Sequence, residues 1–151
     1  MKVHLAWIAA RPGRGKEPAL TKLANEFLDR ARAYADIGVI EAADEEHLFK
    51  SVPRLAGRTQ PHLVLLDSSG KQRSSEQIAE LIGKARDHSV QHLVFAIGGA
   101  NGWTAASLQR ASEVLSLGTM TLPHELARLV LAEQIYRAFT ILAGHPYHSG
   151  H

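Results

Sequence analysis

The sequence contains no cysteine. Without thiols the chain can form no disulfide, no thiolate zinc site and no cysteine nucleophile, so these forms of stabilisation and chemistry are excluded. An excess of charge of one sign is also missing, because 17 Lys and Arg stand against 15 Asp and Glu, for a formal net charge of +2. This balance is compatible with a nucleic-acid partner but does not by itself predict one.

Long hydrophobic runs are absent as well. The N-terminal segment is too short, contains His4 and lacks the small-residue cleavage site of a signal peptide. The most apolar later stretch, residues 126–143, includes Arg128, Glu133 and Arg137, which argues against a membrane span. We therefore expect a cytoplasmic, soluble protein without a membrane partner.

Two common nucleotide-binding motifs are incomplete. Residues 13–17, GRGKE, resemble the end of a phosphate-binding loop, but Ala10 and Glu17 occupy positions that require Gly and Ser or Thr. The segment GGANG at 98–102 has the wrong spacing for the dinucleotide-binding fingerprint. These absences leave P-loop chemistry and ordinary Rossmann cofactors unsupported.

What the chain does have is a regular alternation of strand-like and helix-like segments. With 151 residues, 45% of them apolar, it has enough material for a core, and no repeat or linker interrupts it, so we predict one domain of residues 1–151. Nearly unbroken apolar strands between helices predict an α/β fold with a parallel sheet covered on both faces. The predicted strands are 2–9, 37–42, 62–67, 92–97 and 114–117, and the predicted helices are 17–34, a stretch from Asp44 disrupted at Pro53, 74–87 capped by Ser74 or Ser75, 105–111, and one that begins near Thr121.

The last helix is apolar on two sides. Thr121 is its predicted N-cap, Pro123 suits its first turn and Gly144 its end. One sheet cannot cover two opposite sides, so a homodimer is the simplest partner, and a helix enclosed within one chain is the alternative. One side carries Leu122, Leu126, Leu129 and Tyr136, and the other carries Leu131, Ile135, Ala138 and Leu142.

Glycine-rich or polar loops follow the third, fourth and fifth strands, with the sequences LDSSGK, GGANGW and LSLGTMTLP. Ligands of open α/β sheets bind outside the carboxyl ends of the strands, and glycine allows a close backbone approach. The three loops together could hold a flat purine in an apolar lining. For any single loop, ordinary turn chemistry is the simpler interpretation.

Three longer stretches resemble one family. LDSSGKQRSSEQIA, FAIGGANG and LSLGTMTLPHELARLVLAEQIYRAFTILAGHPYH are similar to SPOUT-class enzymes of the ribosomal RNA large subunit methyltransferase H family, which methylate N3 of a pseudouridine in bacterial 23S ribosomal RNA. The resemblance covers nearly the whole chain. It implies a trefoil-knotted SPOUT fold, S-adenosylmethionine as cofactor and a homodimer. It also implies that the partner is large-subunit ribosomal RNA within the ribosome rather than DNA.

The resemblance also implies which residues form the site. The C-terminal Pro146-Tyr147-His148 matches a tail that the family places near methyl transfer, so we predict His148 as a general base and Tyr147 as the residue that orients the target base. Histidines at every third position, ending at His151, indicate a solvated or partner-contacting tail rather than a metal site. The predicted cofactor contacts are Leu66, Asp67, Ile97, Gly98, Gly99, Leu115, Ser116, Leu117, Gly118, Thr119, Met120 and Leu122.

Two residues depart from the family's pattern. Asn101 stands where the family usually has Glu, and Ser149 stands where it usually has Arg or Lys. Both losses remove a charge, so they support an alternative function: a non-catalytic knotted dimer that binds RNA or a nucleotide.

A cluster of cations after the first strand, Arg11, Arg14 and Lys16, is a candidate phosphate contact, although a solvated loop is a strong alternative explanation. If these side chains touch RNA, neutralising all three weakens ribosome binding. The slope of log affinity against log salt should then flatten by roughly one unit per lost contact. Filter binding at several salt concentrations measures this slope, and an unchanged slope in the triple variant assigns the cluster to solvent.

Overall fold

A five-stranded parallel sheet forms the centre of the molecule in the computed structural model, which describes residues 1–9 and 17–150. The strands are β1 (Lys2–Ile8), β2 (Asp36–Ala42), β3 (His62–Gln72), β4 (His92–Ile97) and β5 (Glu113–Ser116), in the spatial order β2-β1-β4-β3-β5. The helices are α1 (Pro18–Ala31), α2 (Glu45–Ser51), α3 (Ser75–Asp87), α4 (Ala105–Arg110) and α5 (His124–Ala143), with 3₁₀ turns at Val52–Leu55 and His148–Gly150. The predicted alternation of strands and helices is confirmed.

Each central strand is apolar on both faces because both faces are covered by helices. Side chains such as Leu5 and Phe95 lie in one buried cluster with α1, α3 and α5. Alternate side chains such as Ala6 and Val94 lie in a second cluster with α2, the first 3₁₀ turn and α4. Because side chains alternate along a strand, a continuous apolar sequence fills both layers, which confirms the predicted three-layer α/β arrangement.

The start of α3 follows the predicted capping pattern. Ser74 Oγ accepts a hydrogen bond from Gln77 N at 3.1 Å, and Gln77 Oε1 accepts one from Ser74 N at 2.8 Å. This reciprocal capping box satisfies two backbone donors that have no partner within the helix. Of the two predicted caps, Ser74 is therefore the correct one.

The start of α5 differs from the prediction. The helix begins at His124, Pro123 occupies the N-cap position, and no side chain caps it, so the predicted Thr121 cap is wrong. An extended Pro123 leads the chain directly into the first turn without an acceptor side chain. The end is as predicted: Gly144 has φ of 71°, and His145 N donates to Thr140 O at 2.9 Å.

Strand β3 runs past its predicted end. Ser68-Ser69-Gly70 was expected to terminate it, but pairing with β5 continues to Gln72. Leu66 and Lys71 both face Leu115, so the residues between them bulge out of the ladder. A Cβ on Gly70 would lie 2.7 Å from the Val114 carbonyl, so only glycine allows this backbone approach.

Helix α5 is buried largely within its own chain. Leu131, Ile135 and Ala138 are fully buried, and the helix packs against both α1 and α3. On its other side Tyr136 is partly buried, with ring centroids 6.1 Å from Phe27. The enclosed-helix alternative thus accounts for the side that carries Leu131, Ile135 and Ala138, while the homodimer stays a prediction. Within the described residues no helix is both long enough and apolar enough to cross a membrane.

A buried histidine lies at the start of the sheet. His4 on β1 is 4% exposed, and its Nε2 lies 3.0 Å from Nδ1 of His92 on β4. Burial, followed by the positive charges of His92 and Lys2, lowers the pKa of His4 from 6.5 to about 4. The neutral imidazole is therefore the form that the native sheet accommodates.

Acid should consequently weaken the fold through His4. The unfolded chain takes up this proton near pH 6.5 and the folded chain only near pH 4, so stability is full above 6.5 and is lost as the pH falls towards 4. The shift corresponds to roughly 3 kcal/mol. Urea unfolding of wild type and His4→Leu at pH 7 and pH 4.5 measures it. Between pH 7 and pH 4.5, His4→Leu should lose less free energy of unfolding than wild type does. His88→Leu, at an exposed histidine, should lose as much as wild type.

Candidate active site

A cleft of about 320 Å³ opens at the carboxyl ends of β3, β4 and β5. This volume lies in the range of small-molecule sites, and the position is the one at which open α/β sheets bind ligands. The cleft is lined by Leu66, Asp67, Ser68, Ile97, Gly98, Gly99, Ala100, Gly102, Leu117, Gly118, Thr119, Met120, Thr121, Leu122, His124 and Ala127.

The three loops singled out in the sequence thus converge on one space. Ten of the twelve predicted cofactor residues line it, namely Leu66, Asp67, Ile97, Gly98, Gly99, Leu117, Gly118, Thr119, Met120 and Leu122. Leu115 and Ser116 do not, since both are buried in the sheet. Ser116 Oγ accepts a hydrogen bond from Gly118 N at 3.1 Å and lies 3.0 Å from Gly118 O, so it shapes the third loop from beneath.

The first loop is the bulge of β3. Asp67 Oδ2 accepts a hydrogen bond from Ser69 N at 2.9 Å and another from the Ser69 hydroxyl. The carboxylate therefore turns back onto its own loop and stabilises the bulge. This contact leaves the Leu66 and Asp67 backbone at the edge of the cleft.

The second loop is held by Trp103, which the sequence interpretation missed. The buried Trp103 indole N–H donates to Leu66 O at 2.9 Å, so the loop after β4 is joined to the end of β3. A Cβ on Gly98 would lie 3.1 Å from this ring. Gly98 therefore leaves room for the tryptophan as well as for any ligand, and a turn from Gly102 N to Gly99 O at 2.9 Å closes the loop.

Glu45 on α2 anchors the far end of the same loop. Its carboxylate accepts hydrogen bonds from Thr104 N at 2.9 Å, Thr104 Oγ1 at 3.0 Å and Ser107 Oγ at 2.9 Å. The loop is thus fixed at both ends by residues distant in sequence. A tryptophan directly after GGANG was a usable signal for one contact, but no local pattern marks Glu45.

The third loop lines the cleft with apolar side chains and contains a glycine that its backbone conformation requires. Gly118 has φ of 134°, and a Cβ there would meet nothing within 4 Å, so backbone conformation and not crowding requires glycine. Met120 is 81% exposed at the rim of the cleft. An exposed methionine beside a cleft is an adaptable surface for a bound partner or ligand.

The predicted catalytic tail lies outside the cleft lining of its own chain. Tyr147 packs on α5, where its hydroxyl donates to Glu133 Oε1 at 3.0 Å and Arg137 lies 4.8 Å from its ring centre. Burial and the hydrogen bond with Glu133 raise the pKa of Tyr147 above its ordinary value. The Glu133 bond likewise raises the pKa of Arg137, whose Nη2 donates to Glu133 at 2.7 Å.

His148 is engaged through both ring nitrogens. Arg137 Nη1 lies 3.1 Å from Nδ1, and because arginine only donates, Nδ1 is the acceptor. Nε2 then carries the proton that it donates to Glu76 Oε1 at 2.8 Å. This bond lowers the pKa of Glu76. In this arrangement His148 has no unoccupied lone pair with which to accept a proton from a substrate.

A family model described as "Predicted SPOUT methyltransferase" matches residues 1–148. The chain belongs to the SPOUT methyltransferase family. Among relatives named "Ribosomal RNA large subunit methyltransferase H", the Koribacter versatilis protein is 50% identical over the full length of both chains. The Bacillus pumilus protein is 41% identical over 90% of this chain and 94% of its own.

A solved structure agrees with this SPOUT assignment. The SpoU methyltransferase AviRb from Streptomyces viridochromogenes, in complex with AdoMet, superposes with a TM-score of 0.51 at 14% identity. The match covers 96% of this chain and 58% of that one. Together with the parallel sheet, it confirms the predicted α/β SPOUT fold, of which the trefoil knot is the implied feature.

The cleft itself can be tested by filling it. Gly98→Val, the obvious substitution, would push against Trp103 and disturb the loop. Ala127 on α5 lines the cleft and is only partly buried, so Ala127→Phe should fill the cleft and weaken S-adenosylmethionine binding at least about tenfold, or 1.4 kcal/mol. Calorimetry measures the affinity.

The matched control is Ala143→Phe at the exposed end of the same helix. This control should bind the cofactor as wild type does. Wild-type affinity in a folded Ala127→Phe would place the cofactor elsewhere.

Proposed function

We propose that this protein transfers a methyl group from S-adenosylmethionine to ribosomal RNA, with the cofactor held in the three-loop cleft. The cleft is the observation that carries the proposal: three loops predicted to bind the cofactor meet at the carboxyl edge of the sheet. Support comes also from full-length relatives named as ribosomal RNA large subunit methyltransferases.

The finer proposal is that the acceptor is N3 of a pseudouridine in bacterial 23S ribosomal RNA. The resemblance of residues 115–148 to that enzyme group supports it. The N3 electron pair attacks the sulfonium methyl carbon, the carbon–sulfur bond breaks towards sulfur, and a base takes the N3 proton. Positioning supplies much of the rate in such a displacement, and proton removal makes the imide nitrogen a better nucleophile.

We further propose that the active form is a homodimer in which the tail of one protomer completes the cleft of the other. Tyr147 and His148 lie against α3 and α5 of their own chain and not in its cleft. A second copy would bring a tail to an open cleft whose rim residue Met120 is exposed. The competing proposal, a non-catalytic dimer that binds RNA, is favoured by the loss of charge at Asn101 and Ser149.

Methyl transfer to whole ribosomes, large subunits and free 23S RNA decides between these functions. Labelled S-adenosylmethionine should modify one pseudouridine on at least one substrate, and nuclease mapping with mass spectrometry identifies the atom. The control is the same substrate with uridine in place of that pseudouridine. Equal labelling of the control would contradict pseudouridine specificity, and no labelling of any substrate would favour the non-catalytic dimer.

The tail can be tested by substitution. His148→Ala should lower methyl transfer roughly 10²-fold, the scale for losing a general acid or base. Cofactor affinity should be unchanged, because the cleft loops are separate from the tail. Single-turnover assays with saturating cofactor measure the rate. The control is His88→Ala, at an exposed histidine after α3 whose ring contacts the Lys84 carbonyl.

Mixing two impaired variants, at a cofactor concentration too low to saturate Ala127→Phe, tests the dimeric site. Ala127→Phe blocks the cleft and His148→Ala removes the tail, so a heterodimer of the two contains one intact cleft facing one intact tail only if the tail acts across the dimer. Recovered activity on mixing supports that arrangement. Activity that stays at the level of the separate variants places each tail with its own cleft.

A further inference from the structure

A buried cation on α5 has no anionic partner among the residues that the structure describes. Arg128 is 6% exposed; its Nη2 donates to Thr21 Oγ1 at 2.9 Å, and its guanidinium lies 4.4 Å from the centre of the Trp7 ring. No ion pair joins it to any carboxylate of the described residues. The residues outside the described part, 10–16 and 151, include no Asp or Glu.

A second donor beside it is also without a partner. The indole Nε1 of Trp7 is buried and makes no hydrogen bond within the described residues. A guanidinium carries five N–H donors, of which Thr21 takes one. Buried donors and unpaired buried charges cost stability, so two such groups in contact call for an acceptor that a ligand supplies.

Both groups adjoin the cleft. Trp7 on β1 pairs in register with Ile97 on β4, and Ile97 lines the cleft. On the helix side, His124 and Ala127 line the cleft and precede Arg128 on α5 by four residues and one residue. Arg128 and Trp7 are not part of the lining themselves, so the unpaired donors are neighbours of lining residues and a ligand would reach them past Ile97 and Ala127.

We propose that Arg128 and Trp7 form an oxyanion subsite that binds an anionic group of a ligand in the cleft. A planar guanidinium suits the two oxygens of a carboxylate or a phosphate, and an indole N–H adds a third, neutral donor. Two ligands of the proposed reaction carry such a group: the methionine carboxylate of the cofactor and a backbone phosphate of the RNA. The inference rests on the proposed function, and its test separates the two sources.

The first arm compares two nucleosides, of which one carries the amino-acid group with its carboxylate and the other does not. S-adenosylhomocysteine carries the amino-acid group, and methylthioadenosine lacks it. If the subsite holds the cofactor carboxylate, Arg128→Met weakens S-adenosylhomocysteine binding roughly ten- to hundredfold, the scale of a charged hydrogen bond, and leaves methylthioadenosine unchanged. Equal weakening of both nucleosides would overturn the assignment, since it would indicate general damage to the cleft.

The second arm measures RNA. If the subsite holds a phosphate, both nucleosides bind Arg128→Met as they bind wild type, while the slope of log ribosome affinity against log salt falls by about one unit. Unchanged nucleoside preference together with an unchanged slope would overturn the inference. Failure of wild type to bind either nucleoside would instead defeat the proposed function on which the inference rests.

Stability distinguishes a ligand site from a structural one. A buried cation without a counter-ion is a cost of folding, so replacing it with an apolar side chain of similar length should leave the melting temperature of the unliganded protein unchanged or raised. Arg30→Met is the matched control, because Arg30 is an exposed cation 5.1 Å from the Phe27 ring. A melting temperature that falls well below that of this control would make Arg128 structural, and Arg128→Lys then repeats both binding arms with the charge retained.

Discussion

The hydrogen bond from the Trp103 indole to the Leu66 carbonyl is the contact on which the cleft depends. It satisfies the last carbonyl of β3 before the bulge and fixes the loop after β4 in the same step. The ring edge meets Phe49 of α2, with centroids 6.4 Å apart, which ties the loop to the second buried cluster. Glu45, from the same helix, then holds the loop's far end through Thr104 and Ser107. Two of the three cleft loops are thus positioned by one layer of the protein, without the help of a ligand, and such preorganisation is what a positioned transfer reaction requires.

Close packing of this kind explains why several positions near the cleft are glycine. Gly98 is small because Trp103 lies against it, and Gly70 is small because the backbone of β5 passes within contact distance. Gly118 differs, since its surroundings are open and its φ of 134° is what excludes other residues. The glycines around this cleft are therefore explained partly by packing of the protein against itself, and a substitution there affects the fold as well as ligand binding.

The sequence predicted those parts of the fold that local patterns determine. Unbroken apolar strands, the Ser74 cap and the Gly144 stop depend on residues within one turn or one face, and each was confirmed. The bulge of β3 was missed because Ser-Ser-Gly has the chemistry of a turn, and only pairing with β5, more than forty residues later, keeps it in the sheet. The role of Glu45 was missed for the same reason, because its hydrogen-bond partners lie 59 and 62 residues away in sequence. The resemblance identified the tail in the sequence. Its position in space could not be predicted, because it depends on the length of α5, at whose end the tail lies beside α3.

The tail shows what proton transfer would require of the structure. Glu133 accepts from both Tyr147 and Arg137, and Arg137 in turn donates to His148. The raised pKa of Tyr147 keeps its hydroxyl protonated, so it remains a hydrogen-bond donor to Glu133. His148 can accept a proton only when Arg137 releases Nδ1, and a new anionic or carbonyl acceptor is the natural competitor for that guanidinium. A substrate oxygen that drew Arg137 away would therefore free the base at the same moment that it positioned the target, so binding and activation would be coupled through one arginine.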